Sequence, residues 1–286
     1  MKQLLILSGK GGTGKTTVAS AFLELAKAGA VADCDVDAPN LHLVLKQQAP
    51  PRVQDFYGLP KAKVDQQLCT GCQACLKHCR FGAIKFQDGK IQTDPLACEG
   101  CGVCAFVCPE DAIKLVPAVA GELKLFQGTP VFSTAQLKMG SGNSGLLVTE
   151  VRQQLREAAA DMLTIIDGAP GIGCPVIASV TGVDLVLIVA EPSVAGISDM
   201  ERVLATVNHF GIKVAVCINK HDTNPEKTRE IEAWCRRNNL PFAGNIPYDP
   251  QAVIAINNGQ SLAQVDCPAG RAVKIVFSNT MKLLEQ

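Results

Sequence analysis

The sequence predicts an α/β protein: a mostly parallel sheet with helices on both faces, interrupted by a small inserted α+β module. Three observations predict it. Short apolar runs alternate with helical stretches through both ends of the chain, as strands buried on two faces do. A glycine-rich turn, Gly9-Lys10-Gly11-Gly12-Thr13-Gly14, joins the first apolar run to the first helical stretch. Finally, 8 of the 13 cysteines fall between Cys69 and Cys108, where the alternation stops.

Composition sets the background. The 286 residues are 47% hydrophobic and 19% charged, enough for a full core and too apolar for disorder. Lys+Arg 27 balance Asp+Glu 27, so no broad nucleic-acid face is expected. No apolar run approaches the ~18 residues of a membrane span. Met1-Lys2-Gln3 leads directly into a strand-like run, so no signal peptide is expected. An odd cysteine count without a secretion signal argues for reduced thiols in a cytoplasm.

The elements follow in order. Residues 2–7 form an apolar strand, and 15–27 have helical composition. Val31-Ala32 is a minimal second strand ending at Asp33-Cys34-Asp35; the connection before it, Lys27-Ala28-Gly29-Ala30, is short. Residues 60–117 then carry an internal repeat. Cys69, Cys72, Cys75 and Cys79 recur 29 positions later as Cys98, Cys101, Cys104 and Cys108, and Ala83-Ile84 recurs as Ala112-Ile113. The segment reads as a separate two-fold module, which leaves 1–59 and 118–286 as the α/β domain. Alternation resumes after about residue 120. Met162–Ile166 is a strand ending at Asp167, Asp184–Ala190 a second, and Lys213–Ile218 a third ending at Asn219. Helices are expected near 144–159, 197–209 and 225–239. Val273, Val276, Phe277, Met281 and Leu284 have the spacing of a helix docked on the core; three accompanying basic residues are too few for a membrane-surface helix.

Gly9-x4-Gly14-Lys15-Thr16 satisfies the P-loop pattern between a strand and a helix. Glycines at 11, 12 and 14 let the backbone N–H groups of 11–17 (Thr13 and Thr17 included) curl around phosphate oxygens at a helix N-terminus. Lys15 bridges β- and γ-phosphates in such loops, and a hydroxyl in the place of Thr16 ligates Mg²⁺.

With Lys10, the loop reads Lys-Gly-Gly-Thr-Gly-Lys-Thr-Thr. This resembles the deviant Walker A motif of the MinD/ParA/nitrogenase-iron-protein superfamily. The resemblance implies that Lys10 reaches across an ATP-dependent dimer to the partner's nucleotide. It also implies that Asp35 orients the attacking water, that Asp33 lies near Mg²⁺, and that Asp167, opening Asp167-Gly-Ala-Pro-Gly, binds Mg²⁺ through water. Asp37 is as readily a cap or an ion pair. Asn219 takes the place of the family's adenine-contacting Asn, and Ile246-Pro247-Tyr248-Asp249-Pro250 looks like the loop over the base, with Pro247 and Asp249 as contacts. The likeness covers nearly all the chain outside 60–117.

Cys69-x2-Cys72-x2-Cys75-x3-Cys79 and Cys98-x2-Cys101-x2-Cys104-x3-Cys108-Pro109 are both runs of the bacterial ferredoxin type. In that type the fourth cysteine of each run serves the other cluster. One [4Fe–4S] cluster is therefore expected on Cys69, Cys72, Cys75 and Cys108, and a second on Cys98, Cys101, Cys104 and Cys79. Structural zinc also uses Cys-x2-Cys pairs, but two tandem triple-gap runs favour iron and sulfur. Arg80 stands where a proline usually follows the fourth cysteine.

ATPase and ferredoxin parts in one chain resemble MinD-superfamily ATPases with an inserted ferredoxin domain. Asn143–Val148 and Asp167–Pro175 share that likeness. The expected activity is ATP hydrolysis in a dimer of identical or paralogous chains, coupled to electron transfer toward a partner protein or metal centre. The alternatives are a metal- or cluster-loading ATPase and a non-redox positioning ATPase. Cys217, Cys235 and Cys267 read as core cysteines, and Cys34 as one that packs. Cys174, seven residues after Asp167, is a candidate contact for a metal or partner. No cysteine lies between 109 and 173, so a four-thiolate cluster bridging the dimer is not supported.

Overall fold

The structure is a computed structural model describing residues 2–45, 47 and 49–286. The first half of the chain runs β1 (Gln3–Leu7), α1 (Lys15–Ala26), β2 (Ala30–Asp33), β3 (Arg52–Tyr57), β4 (Lys61–Val64), α2 (Ala74–His78), β5 (Ile84–Gln87), β6 (Lys90–Thr93), α3 (Val103–Phe106), β7 (Ile113–Val116), β8 (Val119–Gln127) and β9 (Val131–Leu137). Then come α4 (Ser144–Ala158), β10 (Thr164–Asp167), α5 (Cys174–Val180), β11 (Leu185–Ala190), α6 (Val194–Asn208), β12 (Lys213–Asn219), α7 (Pro225–Arg237), β13 (Phe242–Ile246), α8 (Pro250–Asn257) and α9 (Pro268–Glu285). The chain divides into two compact units. One comprises residues 1–53, 123–136 and 144–286, the other 54–122 and 137–143.

In the larger unit the strand order is β13-β12-β11-β1-β10-β2-β9, and these pairs are parallel. Every residue of β1 after Gln3 is buried, as is all of β11. Leu4, Ile6, Leu185, Leu187 and Val189 pack with Val18 and Phe22 of α1 and Val273 and Val276 of α9. Leu5, Leu7, Val186 and Ile188, which alternate with them along β1 and β11, are equally buried. Strands covered on both faces need no polar side, which is why the sequence carries unbroken apolar runs. The C-terminal helix docks on the core as expected; Phe277 meets Phe22 edge-on at 5.2 Å between ring centres. Among the described residues no helix is long and apolar enough to cross a membrane.

The short link after α1 closes because Lys27 adopts the left-handed conformation (φ 46°) and its N–H bonds back to Glu24. Gly29 then lies so close to Met162 that an added Cβ would fall 2.5 Å from its sulfur. β3, β8, β9, β13 and the short helices α5 and α8 were not read from the sequence. The exposed β3 and the four-to-nine-residue elements around it carry too little periodicity.

The smaller unit has two-fold internal symmetry. β4, α2 and β5 recur 29 residues on as β6, α3 and β7, for example 61–64 as 90–93 and 84–87 as 113–116. β4 pairs antiparallel with β7, and β5 with β6. The hydrogen bonds repeat too. Asp65 N donates to Ala112 O at 2.8 Å, and Asp94 N donates to Ala83 O at 2.7 Å. Left-handed residues recur at Gly71 and Gly100, at Gln73 and Gly102, and at Gly82 and Asp111.

Candidate functional site

Three strand ends build the main site. β1 ends at Leu7, and the loop that follows turns into α1 through Gly12 (φ 81°) and Gly14 (φ 91°). At Gly14 a side chain is doubly excluded: a Cβ would lie 2.2 Å from Asn219 Nδ2. The loop is tied down from inside and from the end of β12, two strands away. Ser8 Oγ donates to Lys10 O at 2.9 Å, and Asn219 Nδ2 donates to Thr13 O at 2.7 Å. Parallel pairing sets Asp33 beside Asp167, one at the end of β2 and the other at the end of β10.

Lys15 and Thr16 both meet Asp167. Lys15 Nζ lies 2.5 Å from Oδ1, and Thr16 Oγ1 donates to Oδ2 at 2.7 Å. Burial works against the Lys15 charge, but Asp167, Asp33 and Asp35 outweigh it and hold the ammonium above its ordinary pKa. Asp33 is fully buried and accepts from the N–H groups of Asp35, Asn40 and Leu41 at 3.0–3.1 Å, which folds the loop between them. Burial, with Asp167 alongside, pushes its carboxyl up to about 7. Burial also raises Asp35, against the pull of Lys15.

Lys15, Thr16 and Asp35 line a cavity of about 940 Å³ whose walls include residues 10–17, Asp37, Ala169 and Asn257. A second cavity of about 250 Å³ shares Gly12, Gly14 and Thr17 and extends to Asn219, Pro247, Tyr248 and Asp249. The first has the size and cationic floor for a polyphosphate, and the second offers a flatter wall for a base. Asp249 also caps α8 through Gln251 N at 3.0 Å and accepts from Ala269 N at 3.2 Å.

In the smaller unit Cys79, Cys98, Cys101 and Cys104 line one cavity, with Gly100, Gly102, Ala62 and Leu115. Ala62 N donates to Cys98 Sγ at 3.4 Å, and Ala112 N to Cys108 Sγ at 3.3 Å. Cys75 and Cys98 are buried, Cys72 and Cys101 exposed. Burial raises the Cys75 thiol, with Cys69 and Cys72 adding to it, and likewise Cys104 beside Cys98 and Cys101. Among the described residues no three His, Cys, Asp or Glu side chains converge as tightly as a single metal ion requires.

Residues 4–262 match the model of the CobQ/CobB/MinD/ParA nucleotide binding domain. The chain belongs to this family. An uncharacterized protein of Methanocaldococcus jannaschii is 34% identical over 288 residues, 99% of this chain and 97% of its own. An uncharacterized ATP-binding protein of the same organism is 23% identical over 278 residues, 94% of this chain and 84% of its own. The fold is shared with the cell division ATPase MinD of Pyrococcus furiosus (TM-score 0.57, 17% identity, 99% of both chains). It is shared also with Pyrococcus horikoshii MinD complexed with Mg-ADP (TM-score 0.56, 18% identity, 99% of this chain and 96% of that one).

The chain thus carries the nucleotide-binding domain of this family, and two residues around its loop have roles that the loop motif does not reveal. Lys220 Nζ donates to Gly12 O at 2.9 Å, and Glu191 lies 2.8 Å from Lys10 Nζ. An acid directly after a buried parallel strand was the available signal for Glu191, since ligand sites gather at such strand ends. Cys174 is exposed at the start of α5, and its backbone is packed against Gly145 of α4. Cys34, Cys217, Cys235 and Cys267 are buried.

Proposed function

We propose that this MinD/ParA-type ATPase carries two [4Fe–4S] clusters and couples an ATP-driven dimer cycle to electron transfer toward a partner protein or metal centre. Residues 60–117 are the inserted ferredoxin-like domain in this reading, and 1–59 with 118–286 the ATPase. The observation that carries it is the cavity shared by Cys79 from one repeat and Cys98, Cys101 and Cys104 from the other. That set is the one the crossed ferredoxin pattern requires. Cys69, Cys72, Cys75 and Cys108 would hold the other cluster.

The residues fit such a group. A cubane takes its thiolates at separate corners, so its ligands stand farther apart than those of one tetrahedral ion. Gly71 and Gly100 have positive φ beside the thiols, and backbone N–H groups donate to Cys98 and Cys108 sulfurs, as charged sulfur requires. When bound, the clusters supply one-electron transfer.

At the ATP site Lys15 neutralises β- and γ-phosphate charge, and Thr16, with Asp33 and Asp167, would hold Mg²⁺. Lys15 leaves Asp167 for the phosphates when nucleotide enters. Asp35 accepts a hydrogen bond from the attacking water and fixes its line of approach. Lys10 serves the partner's nucleotide in trans. Hydrolysis here depends on placement and charge, which these groups supply. Asn219, Pro247 and Asp249 bound the base site. The dimer would form between identical or paralogous chains.

Exposure of Cys174 beside the Asp167 loop favours a second reading, a metal- or cluster-loading ATPase. The MinD neighbours are a cell division ATPase and a septum site-determining protein; at 17–18% identity they support the fold and not a positioning role.

The test is a pair of substitutions on protein reconstituted anaerobically with iron and sulfide. Cys79→Ser and Cys98→Ser, from different repeats, each lose about half the bound iron and the same one of two spectroscopic cluster signals. Loss of different signals, or of none, refutes the crossed assignment.

A further inference from the structure

We infer that Glu191 is a positioning residue that stores Lys10 on its own chain and sets how much ATP is needed before two chains close together. The inference rests on the reading of Lys10 as the lysine that serves a partner's nucleotide.

Strands β12, β11 and β1 lie side by side in that order, and Glu191 follows the middle one. From the β1 side Lys10 brings its ammonium to 2.8 Å from Glu191 Oε2. From the β12 side Lys220 lies 3.5 Å from Oε1 while it donates to Gly12 O. One carboxylate therefore faces two lysines that both border the phosphate loop. The Lys10 hydrogen bond, helped by the Lys220 charge, keeps Glu191 below its ordinary pKa, so it is an anion at neutral pH.

The backbone of Glu191 is fixed. Ser193 N donates to Glu191 O at 2.8 Å, and a Cβ on Gly196 would lie 2.1 Å from that oxygen, so the first turn of α6 sits directly on it. A carboxylate anchored in this way cannot follow Lys10 across an interface. A partner's triphosphate carries more negative charge than one carboxylate, and draws the ammonium away. Lys220 stays on Gly12 and Glu191, so the loop keeps its shape when Lys10 leaves. Separation of Lys10 from Glu191 thus becomes part of the free energy of closure.

Dimerisation titrated with a slowly hydrolysed ATP analogue and Mg²⁺, read by sedimentation, tests this on the whole chain. Glu191→Gln lowers the half-maximal analogue concentration about fivefold, roughly 1 kcal/mol. Glu191→Asp, which keeps the anion, stays near the wild-type midpoint. ADP affinity separates positioning from damage: a deformed loop weakens ADP and analogue alike, whereas release of Lys10 moves only the dimer midpoint. An unchanged or raised midpoint in Glu191→Gln, or a parallel loss of ADP binding, overturns the inference. If Lys10→Ala dimerises as readily as wild type, the trans role itself fails, and the store with it.

Discussion

At Asp33 one carboxyl group links folding to chemistry. It sits fully buried next to Asp167 and still folds the following loop through three backbone N–H groups. Its pKa is about 7 against an ordinary 3.8, so between those values the native state holds a proton that the unfolded chain has lost. Stability from this group is therefore full below about pH 4 and declines as pH rises to about 7. Melting of the nucleotide-free protein across that window shows this decline, and Asp33→Asn flattens it. An identical slope in the variant contradicts the assignment. The phosphate loop was legible because its chemistry is contiguous: glycines, lysine and threonine at fixed spacing state the fold and the ligand together. Glu191 and Lys220 were not, since they reach the loop only through parallel pairing of distant strands. Asn219 was read as a base contact; its Nδ2 also donates to Thr13 O, a bond that no local pattern encodes.

Among the elements, α4 and α5 pack closely on each other. α4 begins one residue after the smaller unit ends at Asn143, and α5 begins seven residues after Asp167. Gly145 meets Cys174 so closely that a Cβ would lie 2.9 Å from Cys174 Cβ and 3.1 Å from its carbonyl oxygen. Backbone cannot yield as a side-chain tip does, so Gly145→Ala costs about 1–3 kcal/mol and lowers the Tm by several degrees. Calorimetry checks it; an unchanged Tm means the helices part freely. Buried Arg152 fastens the same pair, donating from α4 to Ala178 O at 2.8 Å and Thr181 O at 2.6 Å. Long buried strands and helices were read to within a few residues because their apolar runs are unbroken. α5 was missed: it is short, opens on Gly173-Cys174-Pro175, and has no periodicity. The 29-residue repeat was read from cysteines, yet the structure extends it to strands, helices and left-handed turns. There Gln73 and Asp111 hold positions that glycine fills in the other copy, so residue identity alone hid the match.

For the whole molecule the question is whether one chain uses its two units together. The larger unit has the nucleotide-binding fold of the CobQ/CobB/MinD/ParA family, and the smaller gathers thiols from both repeats around one cavity. The chain passes into the smaller unit at residue 54, returns to the larger unit for 123–136, re-enters at 137–143 and then runs into α4; of the elements that flank these crossings, the 33–41 loop borders the nucleotide cavity through Asp35, Asp37, Ala38 and Asn40. Motion of that loop with nucleotide state is the kind of change that alters a distant group, provided the two states contact it differently. The most direct test is the reduction potential of each cluster, measured anaerobically on reconstituted protein, without nucleotide and with a slowly hydrolysed ATP analogue and Mg²⁺. Coupling predicts a nucleotide-dependent shift of at least ~30 mV, roughly 0.7 kcal/mol for one electron. Potentials that stay the same in both states would contradict it.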